Sequence, residues 1–352
     1  NKDGYAETIE IPVGVYKIKE IQPPAGFILS DEVKTVTLTT EDKETAVFEL
    51  TNKANEAKVR KLDSHTKQPL ANADIKVTDA SGKVFFEGKT GTDGYINMTE
   101  LPAGKYTWQE VIAPDTYSID PALYFFTIDA YGKVTGDIQF ANDPITLEII
   151  KMNTYTGAPM AGITFTLQDS EGKVVKTKQT DDGYRIPADD GTVTFVTDAN
   201  GKAVFKYLKV GKYKLVEAVP VGYIADGTTE IELTDHHSES APCKVTVNNC
   251  PTGIKIIKVD AKTEKPLTGA GFTIKVKDGL GFETLTFTKQ ADGKYFFDEK
   301  GTVMDLMVDK NGEVVILGLP MGAIWIEESV VPTGYFPVTA RKAEITKETS
   351  AD

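Results

Sequence analysis

Apolar and polar residues alternate with a period of two through most of the chain. The pattern is plain in Lys34-Thr-Val-Thr-Leu-Thr39, Ala46-Val-Phe-Glu-Leu50, Ala73-Asp-Ile-Lys-Val-Thr78 and Ile163-Thr-Phe-Thr-Leu167. Successive side chains of a strand point to opposite faces, so this alternation predicts half-buried strands. Turns rich in Gly, Asn and Asp separate the runs, and no stretch carries a 3.6-residue apolar stripe. Short strands at this spacing predict an all-β fold of tandem β-sandwich domains arranged end to end.

Three phrases recur. The first reads Lys61-Leu-Asp-Ser-His-Thr66 before Pro69-Leu70, Lys151-Met-Asn-Thr-Tyr-Thr156 before Pro159-Met160, and Lys258-Val-Asp-Ala-Lys-Thr263 before Pro266-Leu267. The second occurs four times. It ends in Glu20 before Phe27, Glu110 before Tyr117, Glu217 before Tyr223 and Glu328 before Tyr335. The third closes a repeat at Phe48-Glu-Leu-Thr-Asn52, Ile138-Gln-Phe-Ala-Asn142 and Val245-Thr-Val-Asn-Asn249. From Glu to Asn the distance is always 32 residues (20 to 52, 110 to 142, 217 to 249), whereas from Lys to Glu it is 49, 66 or 70. The middle of each repeat therefore accepts insertions, as surface loops do. These marks predict a partial domain at 1–54, complete domains at 55–144 and 145–251, and a domain at 252–352 that lacks its last strand. Both ends read as cut from a longer array.

Strand parity gives three polar positions an inward aim. Lys61 shares a face with Ala57 and Val59, Lys151 with Leu147 and Ile149, and Lys258 with Ile254 and Ile256. Glu20, Glu110, Glu217 and Glu328 follow apolar residues two and four positions earlier. Asn52, Asn142 and Asn249 do the same. An isolated buried charge costs several kcal/mol unless it is paired or neutralised. One explanation is a buried Lys–Glu salt bridge with a hydrogen-bonded Asn. The sharper one is covalent. A Lys made neutral by burial attacks the Asn carboxamide, a Glu raised in pKa holds the carboxamide oxygen and relays protons, and ammonia leaves. Such a chain modifies itself once, without turnover, and is no enzyme in the ordinary sense.

Charge and cysteine usage narrow the class. The 352 residues are 40% hydrophobic and 26% charged, with a formal net charge of −13. That acidity argues against nucleic-acid binding, which needs a basic surface. It suits a displayed polymer that must stay soluble. Cys243 and Cys250 fall on one alternating run, which places them roughly 23 Å apart at ~3.3 Å per residue. A disulfide needs less than about 7 Å, so two free thiols are expected. No apolar run approaches a membrane span, and no export or anchoring signal is visible.

The residues of the second phrase, Tyr-x-x-x-Glu followed by Gly-Tyr, resemble the pilin E-box. The Lys-x-Asp-x-x-Thr-x-x-Pro-Leu phrase resembles the opening strand of the Cna B-type, or SpaA-like, domains of Gram-positive sortase-assembled pilins and surface adhesins. The resemblance covers essentially the whole chain. It implies an immunoglobulin-like or prealbumin-like sandwich and isopeptide triads at Lys61/Glu110/Asn142 and Lys151/Glu217/Asn249. Glu20 with Asn52, and Lys258 with Glu328, are then parts of two more, the last Asn falling near position 360 of a parent chain. Departures are the six-residue gap from Glu217 to Tyr223, where the other gaps are seven, and Pro114-Asp-Thr-Tyr117 without the usual Gly.

The expected function is a structural stalk on a Gram-positive surface, extracellular and wall-anchored through an anchor outside this segment. Its expected partners are other copies or subunits of the same fibre. The alternatives are an adhesin module that binds host matrix protein or glycan, using aromatics such as Tyr124, Phe125 and Phe126, and accessory β-domains of a secreted enzyme. No cofactor is expected. Asp181-Asp-Gly183, Asp198-Ala-Asn-Gly201 and Asp309-Lys-Asn-Gly312 lack the full calcium-loop pattern and read as hairpin turns. His65 lies in a turn, and His236-His237 has no ligand partner at metal spacing.

Overall fold

The computed structural model describes residues 4–42, 45–225 and 227–351. Every regular element among them is a strand. The chain forms two compact parts, Asn1–Ile145 and Thr146–Asp352.

In the N-terminal part the second repeat is a two-sheet sandwich. One sheet orders Gln139–Asn142, Glu56–Asp63 and Tyr95–Thr99. The other orders Val84–Lys89, Asp74–Asp79, Gly104–Ile112, Tyr124–Ile128 and Val134–Gly136. Residues at alternate positions of both sheets meet between them, including Val59, Ile75, Val77, Ile96, Trp108 and Phe126. The strand carrying Lys61 (the Lys strand, Glu56–Asp63) runs parallel to the strand carrying Asn142 (the Asn strand), with Phe140 opposite Lys61 and Asn142 opposite Asp63. Glu110 comes from the facing sheet.

The C-terminal part repeats this plan. In the third repeat the Lys strand Thr146–Asn153 lies parallel to the Asn strand Cys243–Pro251, with Val247 opposite Lys151. The Glu strand Gly211–Glu217 belongs to the opposite sheet. In the fourth repeat Gly253–Ile257 ends just before Lys258, and Glu328 lies on Gly322–Val330. The alternating runs at 34–39, 73–78 and 163–167 fall on Val33–Leu38, Asp74–Asp79 and Thr164–Asp169.

The first repeat departs from the expectation. Gly14–Lys19 and Val33–Leu38 pair as a two-stranded sheet, but the alternating run 46–50 and Asn52 form no strand. In the second and third repeats the Asn strand is held by a Lys strand beside it, and among the described residues no such strand lies beside residues 46–52. Without a ladder partner the inward-phased residues stay exposed, with Phe48 at 38% and Leu50 at 40%.

Candidate functional site

The backbone around each Lys is held from both sides. The Lys61, Lys151 and Lys258 N–H groups donate to Gly94, Gly201 and Gly312 carbonyls at 2.8, 2.7 and 2.8 Å. Their carbonyls accept from Leu70, Met160 and Leu267 at 3.0, 2.9 and 2.9 Å. The turns at 198–201 and 309–312 thus have a structural purpose. Gly201 has φ +70°, and a Cβ there would stand 2.7 Å from the Lys151 carbonyl oxygen. Only glycine adopts that conformation without strain and permits so close an approach.

In the second and third repeats the Glu strand enters from the facing sheet, with a Tyr ring four residues before the Glu fixing the strand start. The Tyr106 hydroxyl donates to the Pro102 carbonyl at 2.6 Å, and Tyr213 to Lys209 at 2.9 Å. Beyond Glu20, Glu110 and Glu328, a loop returns and offers a backbone N–H ten residues on. Asp120 N–H donates to Glu110 Oε2 at 2.9 Å, Ser30 N–H to Glu20 Oε2 at 2.8 Å, and Val338 N–H to Glu328 Oε2 at 2.9 Å. This amide clamp leaves no trace in side-chain spelling, because any residue supplies it.

The predicted side chains meet in the second repeat. Lys61, Glu110 and Asn142 are 0%, 4% and 1% exposed. Lys61 Nζ stands 3.1 Å from Glu110 Oε1, and Asn142 Nδ2 donates to both Glu110 oxygens at 2.9 Å. The carboxylate therefore faces the carboxamide nitrogen, not the oxygen that the sequence reading gave it. An ionised carboxylate has only acceptors, which suits the amide's N–H groups. Lys61 Nζ also lies 3.2 Å from the centre of the Phe140 ring, which Trp108 and Tyr124 brace at 4.6 Å each. Buried Asn142 Oδ1 has no hydrogen-bond partner, and Lys61 Nζ has only the Glu110 carboxylate.

Burial drives both ionisable groups toward neutrality. It lowers Lys61 to about 8 against the opposing pull of Glu110, and raises Glu110 against the opposing pull of Lys61 and the Asp120 N–H. A proton shared between them consequently favours the neutral amine more than in water.

The third repeat has the same cluster. Lys151 Nζ donates to Asn249 Oδ1 and lies 3.1 Å from Glu217 Oε2. Asn249 Nδ2 donates to Glu217 Oε1 at 2.6 Å. The partial sets also assemble. Asn52 Nδ2 donates to Glu20 Oε2 at 2.7 Å, and Lys258 Nζ sits 2.5 Å from Glu328 Oε1.

Cys243 and Cys250 lie on one strand and are not joined by a disulfide. Of the three neighbouring aromatics, Phe126 is in the core, Tyr124 packs on Phe140, and Phe125 is 56% exposed. Among the described residues no group of three or more His, Cys, Asp and Glu side chains could hold a metal ion. No helix among them is long and apolar enough to cross a membrane.

The family model of the SpaA prealbumin-like fold domain matches residues 1–54, 55–143, 145–249 and 252–352. The collagen adhesin of Staphylococcus aureus is 26% identical over 59% of this chain and 21% of its own length. The trypsin-resistant surface T6 protein of Streptococcus pyogenes is 38% identical over 19% of this chain and 13% of its own. Among solved structures, a streptococcal ancillary pilin is similar at 19% identity, with 83% of this chain and 95% of that one covered and a TM-score of 0.32. The chain thus spans about a fifth or less of these curated relatives.

Proposed function

This chain belongs to the family of SpaA prealbumin-like fold domains, and from that premise we propose that it is a stalk segment of a Gram-positive pilin or surface adhesin whose domains lock themselves with Lys–Asn amide bonds. The domains span 1–54, 55–144, 145–251 and 252–352, and the segment works outside the cell in a wall-anchored fibre. Its partners are other subunits of that fibre.

The supporting observation is the enclosed Lys61/Glu110/Asn142 cluster, in which Lys61 Nζ has only the Glu110 carboxylate and Asn142 Oδ1 has no hydrogen-bond partner. Buried polar groups are nearly always satisfied, and a buried ion pair recovers its desolvation cost only with good hydrogen bonds. Amide formation removes both charges. In the step, Lys61 passes a proton to Glu110 and its Nζ lone pair forms a bond to Asn142 Cγ. Glu110 returns a proton to Nδ2, the Cγ–Nδ2 bond breaks, and ammonia leaves. The remaining excess proton on Nζ goes to the Glu110 carboxylate, which ends neutral as ammonia departs, so mass and charge balance. Glu110 is suited to this relay because it touches both the nucleophile and the leaving nitrogen. Glu217 holds the same two groups in the third repeat.

Each bond removes about 17 Da as ammonia, so two complete triads predict an intact-mass deficit of about 34 Da. High-resolution mass spectrometry of the intact chain measures it, and an unchanged mass sinks the covalent reading. A second reading, matrix binding, is favoured by the adhesin relative and by exposed Phe125. A matrix-protein and glycan array tests it, and silence across the array discounts it.

A further inference from the structure

The repeats carry a second polar pair that the cross-link chemistry does not use. Asp63 lies two residues beyond Lys61, and its Oδ1 accepts the N–H groups of His65 and Thr66 at 2.7 and 3.0 Å. Its Oδ2 accepts the Tyr117 hydroxyl at 2.9 Å. Asp63 is 3% exposed and lies opposite Asn142 in the parallel ladder. Tyr117 sits in the loop that follows Glu110, three residues before the Asp120 amide that clamps Glu110 Oε2. One hydrogen bond therefore ties the loop holding the Glu to the strand holding the Lys.

The pair recurs wherever a Lys phrase is present. In the fourth repeat the Tyr335 hydroxyl donates to Asp260 Oδ2 at 2.9 Å, and Asp260 Oδ1 accepts from Lys262 and Thr263 N–H at 2.9 and 2.7 Å. In the third, Asn153 takes the Asp position, accepts from Tyr155 and Thr156 N–H at 3.0 and 3.2 Å, and hydrogen-bonds Tyr223 through its side chain. In the first repeat the Tyr position holds Phe27, which has no hydroxyl. Its Glu20 is still clamped by Ser30 N–H, so the hydroxyl is not needed to form the clamp itself. What it adds is the tie across to the Lys strand.

We infer that Tyr117 with Asp63, and Tyr223 with Asn153, are positioning residues for cross-link formation: they latch the Glu loop onto the Lys strand and so hold the carboxylate in register with both reacting nitrogens. The inference rests on the amide cross-link proposed above. Pre-alignment of reacting groups is where a remote contact gains its effect on rate, since displacements near 1 Å cost large factors.

The test follows bond formation by intact mass and cross-linked-peptide analysis at timed intervals after cell-free synthesis of the full chain. Tyr117→Phe is expected to slow the Lys61–Asn142 bond about tenfold, the order expected for one hydrogen bond to a charged group. The Lys151–Asn249 bond in the same molecule keeps its rate and serves as internal control. Tyr223→Phe reverses the pattern and is the second arm should Tyr117→Phe fail to fold, which circular dichroism reports. Asp63→Asn, which copies the pair of the third repeat, keeps a neutral hydrogen bond and is expected to slow the bond less than Tyr117→Phe does. A purely structural role for the pair predicts a change in melting without the selective change in rate. Equal rates in the parent and in both Tyr→Phe chains overturn the latch. Absence of any bond in the parent overturns the cross-link itself, so the two failures are distinguishable.

Discussion

Glu110 shows most clearly how a single position makes the site. Its side chain touches both Lys61 and Asn142, and burial raises its pKa while lowering that of Lys61 to about 8. Glu110→Ala is expected to abolish the Lys61–Asn142 bond, with one mass loss of about 17 Da missing. Closing a loop of about 80 residues stabilises by about 4–5 kcal/mol on the disulfide analogy, so thermal unfolding of that domain should fall accordingly. The pH dependence follows from Lys61 and Glu110 acting as one pair. The step moves the Lys61 proton onto Glu110, so the pair must hold one proton, and that proton is lost to solvent as pH rises through about 8. Bond formation in freshly synthesised chain should therefore hold steady from pH 6 toward 8 and slow above it. A rate that keeps rising beyond pH 8 removes Glu110 as the proton relay. Lys61, Glu110 and Asn142 were all legible from parity, since each sits in phase with apolar neighbours. The Asp120 amide and the Phe140 ring beneath Lys61 were not, because one is backbone and the other a common core residue.

At the scale of elements, the parallel pairing of Lys and Asn strands governs what forms. The second and third repeats have both strands, and their Asn residues are nearly fully buried. Residues 46–52 have the right alternation but no neighbour, so the strand expected from sequence is absent. A strand needs a ladder partner for its backbone N–H and C=O groups, and alternation alone cannot supply one. Hydrogen exchange should read this directly. Amides of 46–52 are expected to exchange orders of magnitude faster than those of Cys243–Pro251, whose opening requires disrupting a six-stranded sheet. Comparable protection would mean that the segment has found another partner.

At the scale of the molecule, the C-terminal part joins its two repeats through a close backbone contact. The Thr252 N–H donates to the Gly222 carbonyl at 2.9 Å, the Thr252 hydroxyl donates to Leu319 O at 2.6 Å, and Gly318 N–H donates to Thr252 O at 2.8 Å. Gly222 has φ +82°, and a Cβ would fall 2.0 Å from Gly318 O. Gly222→Ala should therefore both strain the backbone and wedge the junction, costing about 2 kcal/mol or more. In calorimetry the expected result is a lower or split unfolding transition of the C-terminal part, and an unchanged single transition would show that the junction yields freely.

The all-β class, the repeats and the inward Lys, Glu and Asn positions were fixed by local pattern, because alternation and turn residues act over a few neighbouring positions. Gly222 and Gly318 were visible as text, but nothing local says that they meet. Only the tertiary structure decided which strands lie side by side, that Glu110 faces the leaving nitrogen, and that Tyr117 reaches Asp63 across 54 residues. Those are contacts between groups remote in sequence, and their geometry depends on the packing of two sheets, which no single strand encodes.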